Sequence, residues 1–217
     1  MVRKTTMPAQ IRVVAGVNGA GKSSIVGATI RDRGGEYYNP DEAAREIVAA
    51  NPGLGQTEAN AAAWEQGRKL LERAIDHGFD FTFETTLGGN TMPGLLAEAA
   101  TRGVEVHLFY VGLDSADAHI ERVRQRVRAG GHDIAEADIR RRCRHSLINL
   151  VTLLPVLTEL RVYDNSATAD PAAGQAPQPI SVLHMQRGRI VGPSDLTATP
   201  AWAKPIVAAA LELTQGP

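Results

Sequence analysis

The sequence predicts an α/β fold, a mostly parallel five-stranded sheet with helices on both faces. Strand-like and helix-like segments alternate through residue 163, the pattern of successive βαβ units. Residues 104–113 are apolar almost throughout, which suits a central parallel strand covered on both sides. A β-branched run at 11–14 leads directly into Gly16-Val17-Asn18-Gly19-Ala20-Gly21-Lys22-Ser23, which fits the pattern Gly, four free positions, Gly-Lys-Ser/Thr.

Residues 1–9 read as a frayed leader and 11–15 as the first strand. The octet that follows needs its residue types. Glycines let consecutive backbone N–H groups turn inward. Together with a helix N-terminus those groups make a concave anion site. Lys22 reaches outer phosphates as a point charge, and the Ser23 hydroxyl suits magnesium. Gly16, Val17, Asn18, Gly19, Ala20, Gly21, Lys22, Ser23 and Ser24 are therefore the candidate nucleotide-binding residues, with Ser23 the metal ligand. A buried-type strand before the octet and a helix-compatible run after it mark the fold as a P-loop NTPase.

A helix over about 21–32 stops near Gly34-Gly35, and Tyr37-Tyr38 forms a short second strand. Asn39-Pro40-Asp41-Glu42 opens the next helix, with Asn39 as cap, Pro40 in the first turn and Glu42 at capping-box spacing. Residues 57–77 form a long Ala-rich helix closed by Gly78, 79–83 a strand with Glu84-Thr85-Thr86 at its end, and 93–102 a helix ended by Gly103. Residues 115–129 are helical. Asp133 and Glu136 have capping-box spacing and open a helix from 134 towards 154, where Pro155 ends or kinks it. Residues 161–163 are a fifth strand, 167–179 a loop, 180–184 and 189–191 a hairpin, and 202–213 a final helix. Ligands of such sheets bind beyond the carboxyl ends of the strands.

The 217 residues suit one domain, 1–217, carrying lid helices at about 114–146 and a C-terminal loop, hairpin and helix over 167–217. A net charge of −1 draws the whole chain to neither nucleic acid nor membrane. Cys143 is the single cysteine, so no intramolecular disulfide forms and a reducing cytoplasm is the expected location. The N-terminus lacks the apolar core of a signal peptide, and no run is long enough to span a bilayer.

Positive charge is nonetheless concentrated. Eight arginines and no lysine lie between Arg122 and Arg144, on two helices joined by Gly130-Gly131-His132. Arginine forks onto phosphate with two donors. The pair reads as a cationic lid over the phosphates, neutralising a transferring phosphoryl group. Solvated ion pairing with Glu121, Glu136 and Asp138 is the competing reading for any one of them. Residues 111–162 contain no aromatic for base stacking, which argues against a single-stranded nucleic-acid partner.

Asp41 and Glu84 stand at predicted strand ends. Phosphoryl transfer needs one carboxylate to take the acceptor hydroxyl's proton and another for substrate or magnesium. Asp41 is the candidate base, because the second strand is expected close to the phosphate-loop strand. An acid favoured in a helix first turn is its bland alternative. The nearest match to an apolar strand ending in an acid is 108–114, interrupted by Gly112, and His107, His119, His132 and His145 lack metal spacing.

Several segments occur in order: Gly-Val-Asn-Gly-Ala-Gly-Lys-Ser-Ser, Asn-Pro-Asp-Glu, Phe-Glu-Thr-Thr-Leu, Arg-Val-Arg-Ala-Gly-Gly-His, Arg-Arg-Cys-Arg-His-Ser-Leu-Ile-Asn-Leu and Tyr-Asp-Asn-Ser. The set, spanning about 11–166, resembles the zeta-toxin-like P-loop kinases, particularly the branch labelled predicted ABC-type ATPases. The resemblance implies a nucleoside-kinase-like fold, ATP and Mg2+, and a sugar-nucleotide hydroxyl acceptor such as UDP-N-acetylglucosamine. It implies Asp41 as general base, Lys22, Arg126 and Arg142 on the transferring phosphate, Glu84 and Thr85 on the acceptor, and an antitoxin protein as partner. Cys143 stands where this branch usually has an aromatic. Two other functions fit the residues: an ATPase switch acting on a protein partner, and a polynucleotide end kinase or nucleic-acid binder.

Overall fold

In the computed structural model, residues 8–27, 30, 37–167 and 178–216 are described. Most of the expected leader, the expected end of the first helix near Gly34-Gly35 and most of the 167–179 loop lie outside them. Strands β1 (Gln10–Ala15), β2 (Phe81–Thr85), β3 (Glu105–Gly112), β4 (Glu159–Asp164), β5 (Ile180–Gln186) and β6 (Arg189–Gly192) form one sheet, ordered β2-β1-β3-β4-β5-β6. The first four run parallel, β5 pairs antiparallel with β4, and β6 antiparallel with β5. The expected α/β class holds, with six strands instead of five, because the C-terminal hairpin pairs with β4 and extends the sheet.

The Tyr37-Tyr38 strand contracts to a bridge between Tyr38 and Phe83. Tyr38 N–H donates to Thr82 O at 2.8 Å, and Glu84 N–H to Tyr38 O at 2.8 Å. Asn39 and Pro40 then turn the chain into a helix, and proline has no N–H to extend a ladder. This short segment lies beyond β2, so β2 rather than the second predicted strand is β1's neighbour.

Helices α1 (Pro40–Ala50), α2 (Gln56–His77), α3 (Thr91–Thr101), α4 (Ala116–Arg128), α5 (Glu136–Leu153) and α6 (Lys204–Gln215) cover the sheet and build its rim. Successive β1 side chains alternate between faces. Ile11, Val13 and Ala15 join Leu71, Leu96, Leu150 and Ile206 in the main core, whereas Val14 packs with Val111, Ala20 and Val26. Asn39 caps α1 by accepting from Asp41 N–H at 2.9 Å, as expected. Gly78, in the left-handed region at φ 67°, closes α2. Ser115 caps α4 through Ala118 N–H. No helix among the described residues is long and apolar enough to cross a membrane.

The expected capping box at Asp133 and Glu136 gives way to another solution. Helix α5 begins at Glu136 without a side-chain cap, Asp133 accepts from Ile134 N–H at 2.8 Å, and Glu136 pairs with Arg124. Ile134 packs against the cluster of Val17, Ile120, Val123 and Ile139, which keeps the preceding chain out of the helix. At its other end α5 stops before Pro155, as anticipated.

Below the sheet, Glu159 on β4 accepts from Arg161 Nε at 2.8 Å, and pairs with His107 at 3.0 Å and His184 at 2.8 Å. Burial raises its pKa, but hydrogen bonds from His107, Arg161 and His184 outweigh that and hold it at about 2, below its ordinary 4.5. A depressed folded-state value gives stability that is present above pH 4.5 and lost as pH falls towards 2. Urea midpoints should drop across that window, and Glu159→Gln should flatten the drop while lowering stability at neutral pH.

Candidate active site

The phosphate loop leaves β1 under close constraint. A Cβ on Gly16 (φ 140°) would fall 2.2 Å from the Val111 carbonyl oxygen, and one on Gly21 (φ 89°) 2.6 Å from Asn165 Nδ2. Only glycine permits both the conformation and the approach. A π-helical turn over Ser23–Gly27 follows, where the sequence suggested an ordinary α-helix.

Three side chains hold this loop, and of these sequence reasoning assigned only Asn39, as a helix cap. Asn165, at the end of β4, donates from Nδ2 to Ala20 O at 2.9 Å, and its own carbonyl accepts from Arg122 at 2.6 Å. His119 Nδ1 lies 2.9 Å from Asn18 O. Burial pushes the His119 pKa down to about 4, so the ring is neutral at pH 7 and its Nδ1–H donates. Asn39 Nδ2 lies 3.5 Å from Ser23 Oγ, while its Oδ1 caps α1. Asn39 therefore ties the helix bearing Asp41 to the loop bearing Ser23. The position of Asn165 in Tyr-Asp-Asn-Ser, at a strand's carboxyl end, was the available signal.

Lys22 and Glu84 are buried, at 6% and 8% exposure. Lys22 Nζ stands 3.4 Å from Glu84 Oε1 and donates to Val17 O at 3.4 Å, and Ser23 Oγ donates to Glu84 Oε2 at 2.8 Å. Parallel pairing of Val14 with Glu84 places that carboxylate beside the loop. The acid next to the phosphate site is thus Glu84 on β2, whereas Asp114 lies beyond β3, in the interrupted match noted above. Among the described residues no group of three or more His, Cys, Asp or Glu suits a metal. One hydroxyl beside one carboxylate still fits magnesium, which keeps several waters and takes its remaining ligands from phosphates.

Asp41 Oδ2 lies 3.6 Å from Arg126 Nη1, and Arg126 Nη2 donates to His132 O at 3.2 Å. The Arg126 Nε is buried with no hydrogen-bond partner among the described residues. Arg142 Nη1 donates to Asn18 Oδ1 at 2.7 Å. Helices α4 and α5 pack onto the loop through Val17, Ile120, Val123 and Ile139. Seven of the eight arginines fall into two groups: Arg122, Arg126 and Arg142 meet Asn165 O, Asp41 and Asn18, whereas Arg124, Arg128, Arg140 and Arg141 pair with Glu136, Glu121, Asp117 and Asp138. The ion-paired reading describes the second group.

A cleft of about 620 Å³ runs between these parts. Lys22, Asp41, Glu84 and Arg142 line one portion. Thr57, Asn60 and Trp64, on one face of α2, line the cleft too, as do Thr85-Thr86-Leu87-Gly88-Gly89. Trp64 is 43% exposed. An exposed aromatic among neutral hydroxyl and amide groups suits a ring-bearing polar molecule.

The model of the AAA domain family matches residues 11–144. An uncharacterized protein of Haemophilus influenzae is 33% identical over 141 residues, which is 63% of this chain and 95% of that protein. The fold is similar to AvrRxo1-ORF1:-ORF2 solved with ATP, at TM-score 0.60 and 12% identity. That alignment covers 94% of this chain, which spans only 64% of the neighbour's length. It is also similar to the PezAT chromosomal toxin-antitoxin system of Streptococcus pneumoniae, at TM-score 0.52 and 15% identity, over 81% of this chain and 75% of that one. At such identities the likeness is one of fold.

Proposed function

This chain belongs to the AAA domain family, and from that premise we propose that it is an ATP-dependent small-molecule kinase of the zeta-toxin type. The observation that carries the reading is the link from Asp41 through Asn39 to Ser23. It ties the start of the helix that carries Asp41 to the phosphate loop, and Asp41, with Arg126 3.6 Å away, lines the same cleft as Lys22. The acceptor is a ring-bearing hydroxyl compound, with a sugar nucleotide such as UDP-N-acetylglucosamine as the leading candidate.

In this reading the loop N–H groups and Lys22 hold the outer phosphates of ATP. Ser23 and Glu84 would hold magnesium, which would supply positive charge to offset that of the phosphates. Glu84, associated by the resemblance with the acceptor, is assigned here to the magnesium side because its oxygens turn to Ser23 and Lys22. Asp41 accepts the proton of the acceptor hydroxyl as that oxygen bonds to the γ-phosphorus. The bond from the γ-phosphorus to the bridging oxygen breaks, and ADP leaves with the electron pair. Arg126 and Arg142 exchange Asp41 and Asn18 for phosphate oxygens and neutralise the developing charge. Thr85 and the α2 face bearing Trp64 orient the acceptor. A toxin role with an antitoxin partner is a further part of this proposal, suggested by PezAT.

Incubation with γ-labelled ATP and a cell metabolite extract tests the reading. The expected result is label in a sugar nucleotide or related ring compound, identified by mass spectrometry. Label in oligonucleotides would replace it with a polynucleotide kinase, and label in free phosphate alone with an ATPase switch.

A further inference from the structure

We infer that Asn149 is a positioning residue for the acceptor, acting through the loop that follows β2. The inference rests on the kinase reading for the loop's role, but the clamp itself stands on geometry. Asn149, on α5, donates from Nδ2 to two carbonyls of that loop, Leu87 O at 2.7 Å and Gly89 O at 3.0 Å. One amide nitrogen thereby spends both its hydrogens on a segment 60 and 62 residues away.

The loop needs a clamp. Leu87 has φ 52°, in the left-handed region that a branched side chain adopts rarely, and it is only 1% exposed. Such conformations persist where their surroundings over-determine them, and they cluster at ligand sites. Here the surroundings are named. Thr85 Oγ1 accepts from Leu87 N–H at 3.2 Å, Thr86 Oγ1 from Gly88 N–H at 3.4 Å, and Asn149 closes the far side. All five residues from Thr85 to Gly89 line the cleft, which Asn60 and Trp64 of α2 also line. Fixing Leu87 fixes where the threonine hydroxyls point.

The clamp also couples the two halves of the cleft. Arg142 and Asn149 are seven residues apart on α5, hence on one face of it. Arg142 meets Asn18 of the phosphate loop, and a Cβ on Gly88 would fall 2.8 Å from Arg142 Cγ. One helix therefore holds a lid arginine against the phosphate loop and an amide against the acceptor loop. Its separation of the two sites is set by helical rise, so the phosphate loop and the acceptor loop are held at a fixed spacing by one rigid element.

The test uses the full chain with Asn149→Asp, isosteric but without the two N–H donors, and Asn149→Ala. Amide hydrogen exchange across residues 85–90 should rise at least about tenfold in both, the scale of a lost hydrogen bond, while labelled-ATP affinity stays within about twofold of wild type. With the acceptor identified by labelling, KM for it should rise about tenfold or more and kcat change less. KM of Asn149→Asp should fall back as pH is lowered through titration of the introduced carboxyl, because the neutral acid regains one donor. Asn149→Ala should show no such recovery. Unchanged exchange at 85–90 overturns the clamp. Raised exchange with unchanged KM overturns its role in acceptor binding. The exchange measurement needs no acceptor, so it decides the clamp even where labelling finds no kinase product.

Discussion

Asp41→Asn should lower phosphoryl transfer by about a thousandfold, some 4 kcal/mol of transition-state stabilisation, while leaving ATP affinity nearly intact. The amide keeps the volume of the carboxylate but cannot take a proton. The cap on α1 uses the backbone N–H of residue 41, which the substitution leaves in place. Arg126 loses an ion pair in which both side chains are more than a third exposed, a contact that contributes little to stability. A fall in single-turnover rate with an unchanged Tm therefore isolates a chemical role. If Asp41 serves only the dipole at the start of α1, the pattern reverses, with a loss of at most about 1 kcal/mol in stability and full transfer.

Lys22→Met should act on both binding and folding. The side chains of Lys22 and Glu84 are 7% and 10% exposed, so removing the ammonium leaves a buried carboxylate with, among the described residues, the Ser23 hydroxyl against it. Breaking such a pair from one side costs about 3 kcal/mol, more than the intact pair contributes. The urea midpoint should fall accordingly, and adding Glu84→Gln should restore more than half of the loss. ATP affinity should drop by about tenfold to a hundredfold, the range of a lost charge-assisted contact, and the second substitution should not restore it. Equal stability of the single variant and wild type would mean that solvent, not Lys22, balances Glu84.

The phosphate loop was legible because its chemistry is local: strand, glycines, lysine and hydroxyl all lie within Ile11 to Ser24. The cap at Asn39 was legible for the same reason, and it carried Asp41 with it. What the sequence did not state were relations across distance. Glu84 reaches Ser23 because β2 pairs with β1 in one register, and nothing near either residue states that register. The hairpin's joining of the sheet depends likewise on pairing with β4. The box expected at Asp133 and Glu136 failed because Arg124 competed for the carboxylate and an apolar cluster for Ile134. Eight arginines looked alike in sequence, and only the fold sorts those facing Asn18, Asp41 and Asn165 from those facing local acids. Asn149 stood inside a motif already noticed, but its partners are at Leu87 and Gly89, which no spacing rule connects to it.

In the kinase reading, the pairing of Lys22 with Glu84 and of Arg126 with Asp41 has a consequence for how a triphosphate would be admitted. Each of these two cations already has a counter-charge of its own, so their long-range pull is blunted, and capture would be a swap of neighbours at contact. On departure of the product the carboxylates would return to their cations. The same internal anions that blunt attraction on the way in therefore ease expulsion on the way out.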